Sequence, residues 1–258
     1  MADIQTVKSY WDARPCNIRH SSKPVGSREY FDEVTQRRYY VEPHISVFAD
    51  FAQWQGKKVL EVGCGIGTDT IQFARAGAHV TAVDLSANSL EIAKQHAAAY
   101  DLSHMVDFYE GNAEELIDIL PPQRFDLIYS FGVLHHTPDP RKAILNMRSF
   151  MNRLSQMKIM LYAKNSWKQI MIEQGLDQPE AQSGCPIANT YTEESVKELL
   201  KGMFVESIRQ DHIFPFNVEK YKNYEYELEP WFQEMPLPMF VALKKKLGWH
   251  LLISACLN

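Results

Sequence analysis

The stretch VLEVGCGIGTDT, residues 59–70, joins a strand pattern, a glycine-rich turn and the start of a helix. A short apolar strand pattern runs into three glycines at alternate positions, Gly63, Gly65 and Gly67, and a helical pattern follows at once. Glycine permits tight backbone turns, and its missing Cβ lets the backbone approach a ligand closely. In an open parallel sheet, the turn after a strand lies at the edge where ligands bind. The stretch therefore predicts a ligand-binding turn.

Strand and helix patterns alternate on both sides of this turn. Five strands are predicted, at 57–62, 79–85, 106–116, 125–132 and 157–163. Two more, at 204–213 and 249–257, are expected to pair antiparallel at one edge. The alternation predicts an α/β fold, with a mostly parallel seven-stranded sheet and helices on both faces. Thr68 or Asp69 is expected to cap the helix after the glycine turn, and a later helix is predicted at 140–154.

The length of 258 residues predicts a single domain, residues 1–258, with additions on either side of its core. Residues 1–50 are expected to form an N-terminal helical cap, and residues 51–163 the ligand-binding core. Residues 164–258 begin with an irregular stretch, 164–188, and carry an aromatic, proline-bearing insert before the last strand. The cap and the insert are candidates for building a pocket over the sheet.

Composition excludes several classes of function. Apolar residues make up 45% and charged residues 23% of the chain, as in ordinary globular proteins. The formal net charge of -5 argues against nucleic-acid binding, which needs a basic face. No apolar run could span a membrane and no signal-peptide core is present, so a cytoplasmic protein is expected. The four cysteines are scattered and no histidine stands at metal-ligand spacing, so neither a disulfide nor a metal site is predicted.

Two ligand classes use such a glycine turn, dinucleotides and S-adenosylmethionine. Dinucleotide sites favour G-x-G-x-x-G with a pyrophosphate at the helix N-terminus. Here the spacing is G-x-G-x-G, and Asp69 opens the helix with a negative charge that a pyrophosphate would repel. Glu61 and Asp69 instead suit a ligand that carries an ammonium and a sulfonium. Asp84, at the end of the second strand, stands where a carboxylate can accept hydrogen bonds from both ribose hydroxyls.

Four successive motifs now carry a resemblance to a known family. VLEVGCGIGTDT, VTAVDLS, GNAEEL and FDLIYSFGVLHHTPD closely resemble those of the class I, Rossmann-like, S-adenosylmethionine-dependent methyltransferases. The flanking stretches YWDARPCNIRHS and LGWHLLISA also resemble a bacterial group of small-molecule methyltransferases. The four-motif resemblance covers roughly residues 57–162. It implies a Rossmann-like sheet, S-adenosyl-L-methionine as cofactor and a small-molecule substrate. One departure is the missing Pro-Gly-Gly turn before the fifth strand, where a structural consequence is expected.

The resemblance assigns cofactor contacts to residues at the ends of four strands. Gly63, Gly65 and Gly67 would pass under the methionine portion, and Asp84 would bind the ribose. Leu85 would lie against adenine. Asn112 stands where the family often has Asp, and its amide oxygen would accept from the adenine amino group while the backbone of Ala113 faces the adenine edge. Ser130 and Phe131 would lie near the methionine end.

Methyl transfer needs alignment and exclusion of water, and a hydroxyl or protonated amine also needs a base. His135 and His136, just past the fourth strand, are the candidates, with His136 preferred. The alternative is that one or both histidines only hold the loop through hydrogen bonds.

Substrate contacts are expected from the cap and from the segment after the fifth strand. Arginines among aromatic residues suit a ligand with a carboxylate or phosphate. Arg37 and Arg38 fit a surface helix face at least as well, whereas Arg14, Arg19 and His20 lie in a non-periodic stretch and are expected to point inward. The full set of candidates is Arg14, Arg19, His20, Tyr30, Tyr162 and Trp167.

The sequence therefore predicts a methyltransferase that modifies an oxygen or nitrogen of a small polar, anionic metabolite, with a role in natural-product biosynthesis as a further expectation. Two rivals remain open, an NAD-dependent oxidoreductase and a non-catalytic cofactor-binding module that regulates a partner. A protein or peptide acceptor is a third possibility. Neither nucleic acid nor membrane is expected as a partner, and the sequence does not determine the oligomeric state.

Overall fold

The computed structural model describes residues 3–176 and 184–258. Its seven strands form one sheet in the order β3-β2-β1-β4-β5-β7-β6. The strands are β1 Lys58–Val62, β2 His79–Asp84, β3 Val106–Glu110, β4 Leu127–Phe131, β5 Gln156–Tyr162, β6 Met203–Asp211 and β7 His250–Leu257. The pairings among β1 to β5 are parallel, and β7 runs antiparallel to both β5 and β6. The predicted mostly parallel, seven-stranded sheet is confirmed, together with its antiparallel edge.

Twelve α-helices surround the sheet in the described part of the chain. Three lie before the first strand and form the predicted cap: α1 Ile4–Ala13, α2 Arg28–Val41 and α3 His44–Ala49. The next four connect the parallel strands: α4 Thr68–Arg75, α5 Ala87–Ala99, α6 Leu116–Ile119 and α7 Pro140–Arg148. The last five flank β6 and fill the insert: α8 Trp167–Glu173, α9 Glu193–Leu199, α10 Val218–Lys222, α11 Pro230–Gln233 and α12 Leu237–Leu247. None of the helices described is long and apolar enough to cross a membrane.

The sheet is covered on both faces because its central strands are apolar on both sides. In β1, Leu60 and Val62 pack into one core with Ile128 of β4, whereas Val59 packs into the other with Leu127. Strands buried on both faces are typical of parallel sheets between two helix layers. The strand order reverses between β1 and β4, which opens a crevice at their carboxyl ends. The glycine turn follows β1, and the His135–His136 pair follows β4, so both lie at this crevice.

Three local predictions were wrong. The residue at the cap position of α4 is Gly67, in the left-handed region at φ 81°, and no side chain caps this helix, so neither Thr68 nor Asp69 does so. Helix α7 ends at Arg148 rather than near residue 154, because the chain turns there to bring Phe150 and Met151 into the core. The stretch 164–188 contains α8, which Ser166 caps by accepting from the Gln169 amide. Residues 177–183 of that stretch lie outside the described residues.

Candidate functional site

The glycine turn and Asp84 form one hydrogen-bonded unit. The Gly65 amide donates to Asp84 Oδ2 at 2.7 Å, and the Ser86 amide donates to Asp84 Oδ1 at 2.8 Å. Both carboxylate oxygens are therefore fixed by backbone while each keeps a lone pair for a ligand. Burial raises the pKa of Asp84, and these two backbone bonds oppose the rise. The carboxylate is thus oriented in advance for two hydroxyl groups.

A cavity of about 990 Å³, its open mouth included, extends from this unit along the carboxyl ends of β1, β2 and β4. Ten of the predicted site residues line it: Glu61, Gly63, Gly65, Asp69, Asp84, Leu85, Asn112, Ala113, Phe131 and His136. The cap helix α1 and the segment after it close one side with Trp11, Cys16 and Asn17.

Gly67 and Ser130 lie next to the cavity rather than in its lining. A Cβ built on Gly67 would meet the Ala93 Cβ at 3.1 Å, so this glycine lets α4 pack closely on α5. The buried Ser130 hydroxyl donates to the Val62 carbonyl at 2.8 Å and ties β4 to β1. Both residues therefore support the walls of the site.

Asp69 already has a cationic partner within the chain. Its carboxylate is 3.1 Å from Arg38 Nη2, and the hydroxyls of Tyr39 and Tyr129 donate to it at 2.7 and 3.0 Å. Asp69 is only 3% exposed. The Asp69 carboxylate, which the sequence suggested would face a cationic ligand, instead pairs with Arg38. Arg38 lines the cavity, and its buried Nε has no hydrogen-bond partner in the described structure.

Glu61 lines the cavity close to Asp69. Its carboxylate accepts from the Thr70 hydroxyl at 2.6 Å, and the side chain is buried. Burial, with the nearby Asp69, raises the pKa of Glu61 well above its ordinary value. These surroundings favour the neutral form of Glu61.

The two histidines after β4 occupy different surroundings. His136 lines the cavity, and its Nδ1 donates to the Ile187 carbonyl at 2.6 Å, which leaves the lone pair on Nε2. Burial lowers the pKa of His136 to about 4, so the ring is neutral at physiological pH. His135 is fully buried away from the cavity, with its ring 3.6 Å from that of Tyr162 between centroids. The geometry thus favours His136 as the base.

A family comparison identifies the chain. A family model described as a methyltransferase domain matches residues 54–212, more than half of the chain. The chain belongs to this methyltransferase-domain family. The match agrees with the motif-based resemblance and with the S-adenosylmethionine dependence that it implies.

Curated relatives are similar to part of this methyltransferase. A ubiquinone biosynthesis O-methyltransferase from Actinobacillus pleuropneumoniae serotype 5b is 36% identical over 99 residues, 37% of this chain and 42% of that relative. Another, from Aromatoleum aromaticum, is 37% identical over 89 residues, 34% of this chain and 37% of the relative. The chain therefore matches about two fifths of the length of these curated relatives.

Solved structures match over nearly the whole chain. One is magnesium protoporphyrin IX methyltransferase from Synechocystis PCC 6803 with bound S-adenosylhomocysteine (SAH). It is 15% identical, has a TM-score of 0.65, and the match covers 99% of this chain and 100% of that chain. A structure concerned with converting a disulfide into a thioacetal in echinomycin biosynthesis is 18% identical with a TM-score of 0.58, covering 97% of this chain and 93% of that chain. These likenesses confirm the predicted Rossmann-like methyltransferase fold.

The residues of this methyltransferase fit the cofactor at the adenosine end. Asp84, Leu85 and Ala113 line the cavity, where Asp84 could accept from the ribose hydroxyls and the other two could offer apolar surface to the purine. Asn112 Oδ1 accepts from the Glu114 amide at 3.0 Å, so the amide oxygen has one remaining lone pair for the adenine amino group. No Cβ on Gly65 would meet any atom within 4 Å, since that side of the turn faces open space.

None of the six substrate candidates, all of which lie in the described part of the chain, lines this cavity. Arg14 and Arg19 are exposed, so the expected inward orientation was wrong. The Tyr30 hydroxyl donates to the Ile18 carbonyl within a small core under α2, and His20 lies 3.5 Å from the Tyr221 hydroxyl. Tyr162 stacks between His135 and Trp249 behind the cavity wall. Trp167 lines a second, smaller cavity under the insert, with Phe214, Phe216, Trp231 and Phe232.

Helix α2 contributes two arginines, Arg37 and Arg38, whose positions the sequence did not determine. Arg37 is buried, donates to the Tyr221 carbonyl at 2.6 Å and lies 3.9 Å from the Tyr221 ring centroid. Arg38, one position on, turns to Asp69 and the cavity. Adjacent residues of a helix point in different directions, so Arg37 and Arg38 contact different partners. The sequence alone does not show that either side chain has a partner.

A cluster of four buried polar side chains adjoins the cavity wall at Phe131. It consists of Glu42, His44, His212 and His250. The His250 ring lies 5.4 Å from that of Phe131 between centroids. Burial lowers the pKa of His44 to about 4 and those of His212 and His250 well below the ordinary value. No sequence motif identified this group.

Proposed function

We propose that this methyltransferase transfers the methyl group of S-adenosylmethionine to a hydroxyl oxygen of a small polar metabolite that carries an anionic group. The observation that carries the proposal is His136, a neutral imidazole on the cavity wall with its lone pair on Nε2. The bound cofactor supplies an electrophilic methyl group on a positive sulfur. A hydroxyl acceptor must lose a proton as it attacks, and His136 would take that proton on Nε2.

The other lining residues align the reactants and keep out water. Asp84 would hold the ribose, and the aromatic rings of Trp11 and Phe131 would exclude solvent around the reacting atoms. Arg38 would meet a carboxylate, either that of the cofactor or one on the acceptor, because its Nε stays unpaired in the described structure. The similarity to ubiquinone biosynthesis O-methyltransferases supports oxygen as the acceptor atom.

The proposal is tested by label transfer. The protein is incubated with methyl-labelled S-adenosylmethionine and a panel of small hydroxylated compounds, with and without a carboxylate, beside matched amines. Label in the hydroxylated acids is the expected result. Label confined to amines, or no label in any acceptor while S-adenosylhomocysteine binds, would overturn the proposed acceptor class.

Asp84→Asn tests the cofactor site separately. The amide cannot accept both backbone N–H bonds and both ribose hydroxyls, so the Kd for S-adenosylhomocysteine should rise roughly tenfold or more, by calorimetry. Asp126→Asn is the matched control, since Asp126 accepts from the Lys58 amide at 2.9 Å at the opposite end of the strands. Equal affinities in the two variants would contradict the ribose assignment.

A further inference from the structure

Four side chains from distant parts of the sequence meet beside β5. Glu42 and His44 stand at the junction of α2 and α3, His212 directly follows β6, and His250 opens β7. The His250 ring lies between the others, with Nδ1 2.8 Å from His44 Nε2 and Nε2 3.7 Å from Glu42 Oε1. His212 Nε2 is 3.9 Å from the same Glu42 oxygen. All four residues are 2 to 9% exposed.

This group has the composition of a metal site. One ligand atom from each of Glu42, His44 and His250 lies within 4.8 Å of the others, whereas His212 lies near the carboxylate but outside this set of mutually close donors. Zinc-class cations prefer imidazole nitrogen and carboxylate oxygen at about 2.0–2.2 Å in tetrahedral sites. Such ligands stand about 3.4 Å apart, so the more distant donors would move closer together around an ion. The His44 and His250 nitrogens, at 2.8 Å, would instead move apart and give up the proton that they share.

Glu42 is the group that would offset the charge of a bound cation. Two cations near the cluster have carboxylate partners, since Lys244 is 3.0 Å from Asp211 and Arg38 is 3.1 Å from Asp69. Burial lowers the pKa of His212 and of His250, and a third cation, Lys168, also lies near enough for its charge to lower both further.

We propose that Glu42, His44 and His250 bind one divalent transition-metal cation of the zinc class, with His212 moving in from beside the carboxylate as the fourth ligand. A buried site with four protein ligands is typical of structural rather than catalytic zinc. The ion would join the cap, through α2 and α3, to the antiparallel edge of the sheet formed by β6 and β7. Because His250 contacts Phe131, this link would also hold the cavity wall in place.

The sequence gives no sign of this site because its ligands come from three separate segments. Only Glu42 and His44 are close in sequence, and no cysteine takes part. Cysteine and histidine spacing predicted no metal site, and this proposal departs from that prediction. The pairing of β6 with β7 brings His212 close to His250.

The test uses the full chain without a histidine tag, stripped with a chelator and then titrated with Co²⁺ or Zn²⁺. We expect one equivalent of Co²⁺ per chain with visible d–d absorption, displacement of that absorption by Zn²⁺, and a higher Tm for the metal-loaded protein. His44→Ala and His250→Ala should weaken Co²⁺ binding at least tenfold. His104→Ala, at an exposed histidine, is the matched control and should bind like the wild type.

Glu42→Gln keeps the test decisive if the histidine variants fail to fold. Glutamine preserves the shape and an oxygen acceptor but removes the charge, so the folded variant should bind Co²⁺ more weakly and gain less in Tm. Retained S-adenosylhomocysteine binding reports that a variant is folded. Wild-type protein without Co²⁺ absorption, or equal Co²⁺ affinity in wild type and Glu42→Gln, would overturn the proposal.

Discussion

At the scale of single residues, the tautomer of His136 decides what the site can do. Its Nδ1 proton is donated to the Ile187 carbonyl, so the basic lone pair is on Nε2 of a ring that lines the cavity. His136→Gln keeps a polar side chain but removes the basic lone pair. We expect kcat to fall roughly 100-fold, with little change in the Kd for S-adenosylhomocysteine.

The matched control for this prediction is His79→Gln, at an exposed histidine that begins β2. It should leave kcat as in the wild type. If His136→Gln retains wild-type kcat under single-turnover conditions, the base assignment is wrong, and the histidine serves only to hold the loop after β4.

The residues of the glycine turn could be predicted from the sequence to line the cavity, but the cap residues that pack against them could not. Ten predicted residues line the cavity because strand ends and the turns after them are local features of the sequence. Arg38 was left open because its partner Asp69 stands 31 positions away, and Arg14 was misplaced because a non-periodic stretch does not show which way it faces. Side-chain direction in the cap depends on packing against α4, which no local pattern encodes.

At the scale of the turn between β1 and α4, two glycines have separable roles. Both Gly65 and Gly67 hold left-handed backbone, at φ 54° and 81°. Alanine at either position costs roughly 1–2 kcal/mol for that conformation. On Gly67 the new Cβ also presses on Ala93 at 3.1 Å, whereas on Gly65 it enters the space where the cofactor would lie.

We therefore expect opposite patterns in the two alanine variants. Gly67→Ala should lose more stability in urea unfolding and keep its affinity for S-adenosylhomocysteine. Gly65→Ala should lose less stability but bind the cofactor roughly tenfold more weakly or worse. Each variant is the other's control, and equal losses of affinity in both would show that the turn acts as one unit.

At the scale of the whole molecule, the sheet and its edge could be predicted because strand periodicity and connection order determine them. What could not be predicted is how the cap closes on the sheet. Arg37 reaches Tyr221 across 184 positions, and His44 reaches His250 across 206. These contacts form only when β6, β7 and the insert fold back over α2 and α3, and no local sequence pattern encodes them.

The same burial of histidines makes the fold sensitive to acid. Outside the four-residue cluster, burial lowers the pKa of His96 to about 4, and its ring stacks on Phe31 at 4.0 Å while Nδ1 donates to the Ile66 carbonyl. The unfolded chain has the ordinary histidine pKa of about 6.5, so between these values the unfolded state binds more protons. Stability is then fully present above pH 6.5 and is lost as pH falls toward 4, by about 1.4 kcal/mol per unit for one such histidine.

His96→Gln removes this one contribution. Measured by urea unfolding in the presence of a chelator, the free energy of unfolding of the wild type should fall between pH 7 and pH 5 by about 2 kcal/mol more than that of the variant. His104→Gln, at an exposed position, should follow the wild type. The variant will be less stable at pH 7, because the stack on Phe31 is lost. The prediction therefore concerns only how steeply the free energy of unfolding changes with pH. An unchanged slope in His96→Gln would mean that His96 is protonated in the folded protein, and that the acid sensitivity lies with the other buried histidines.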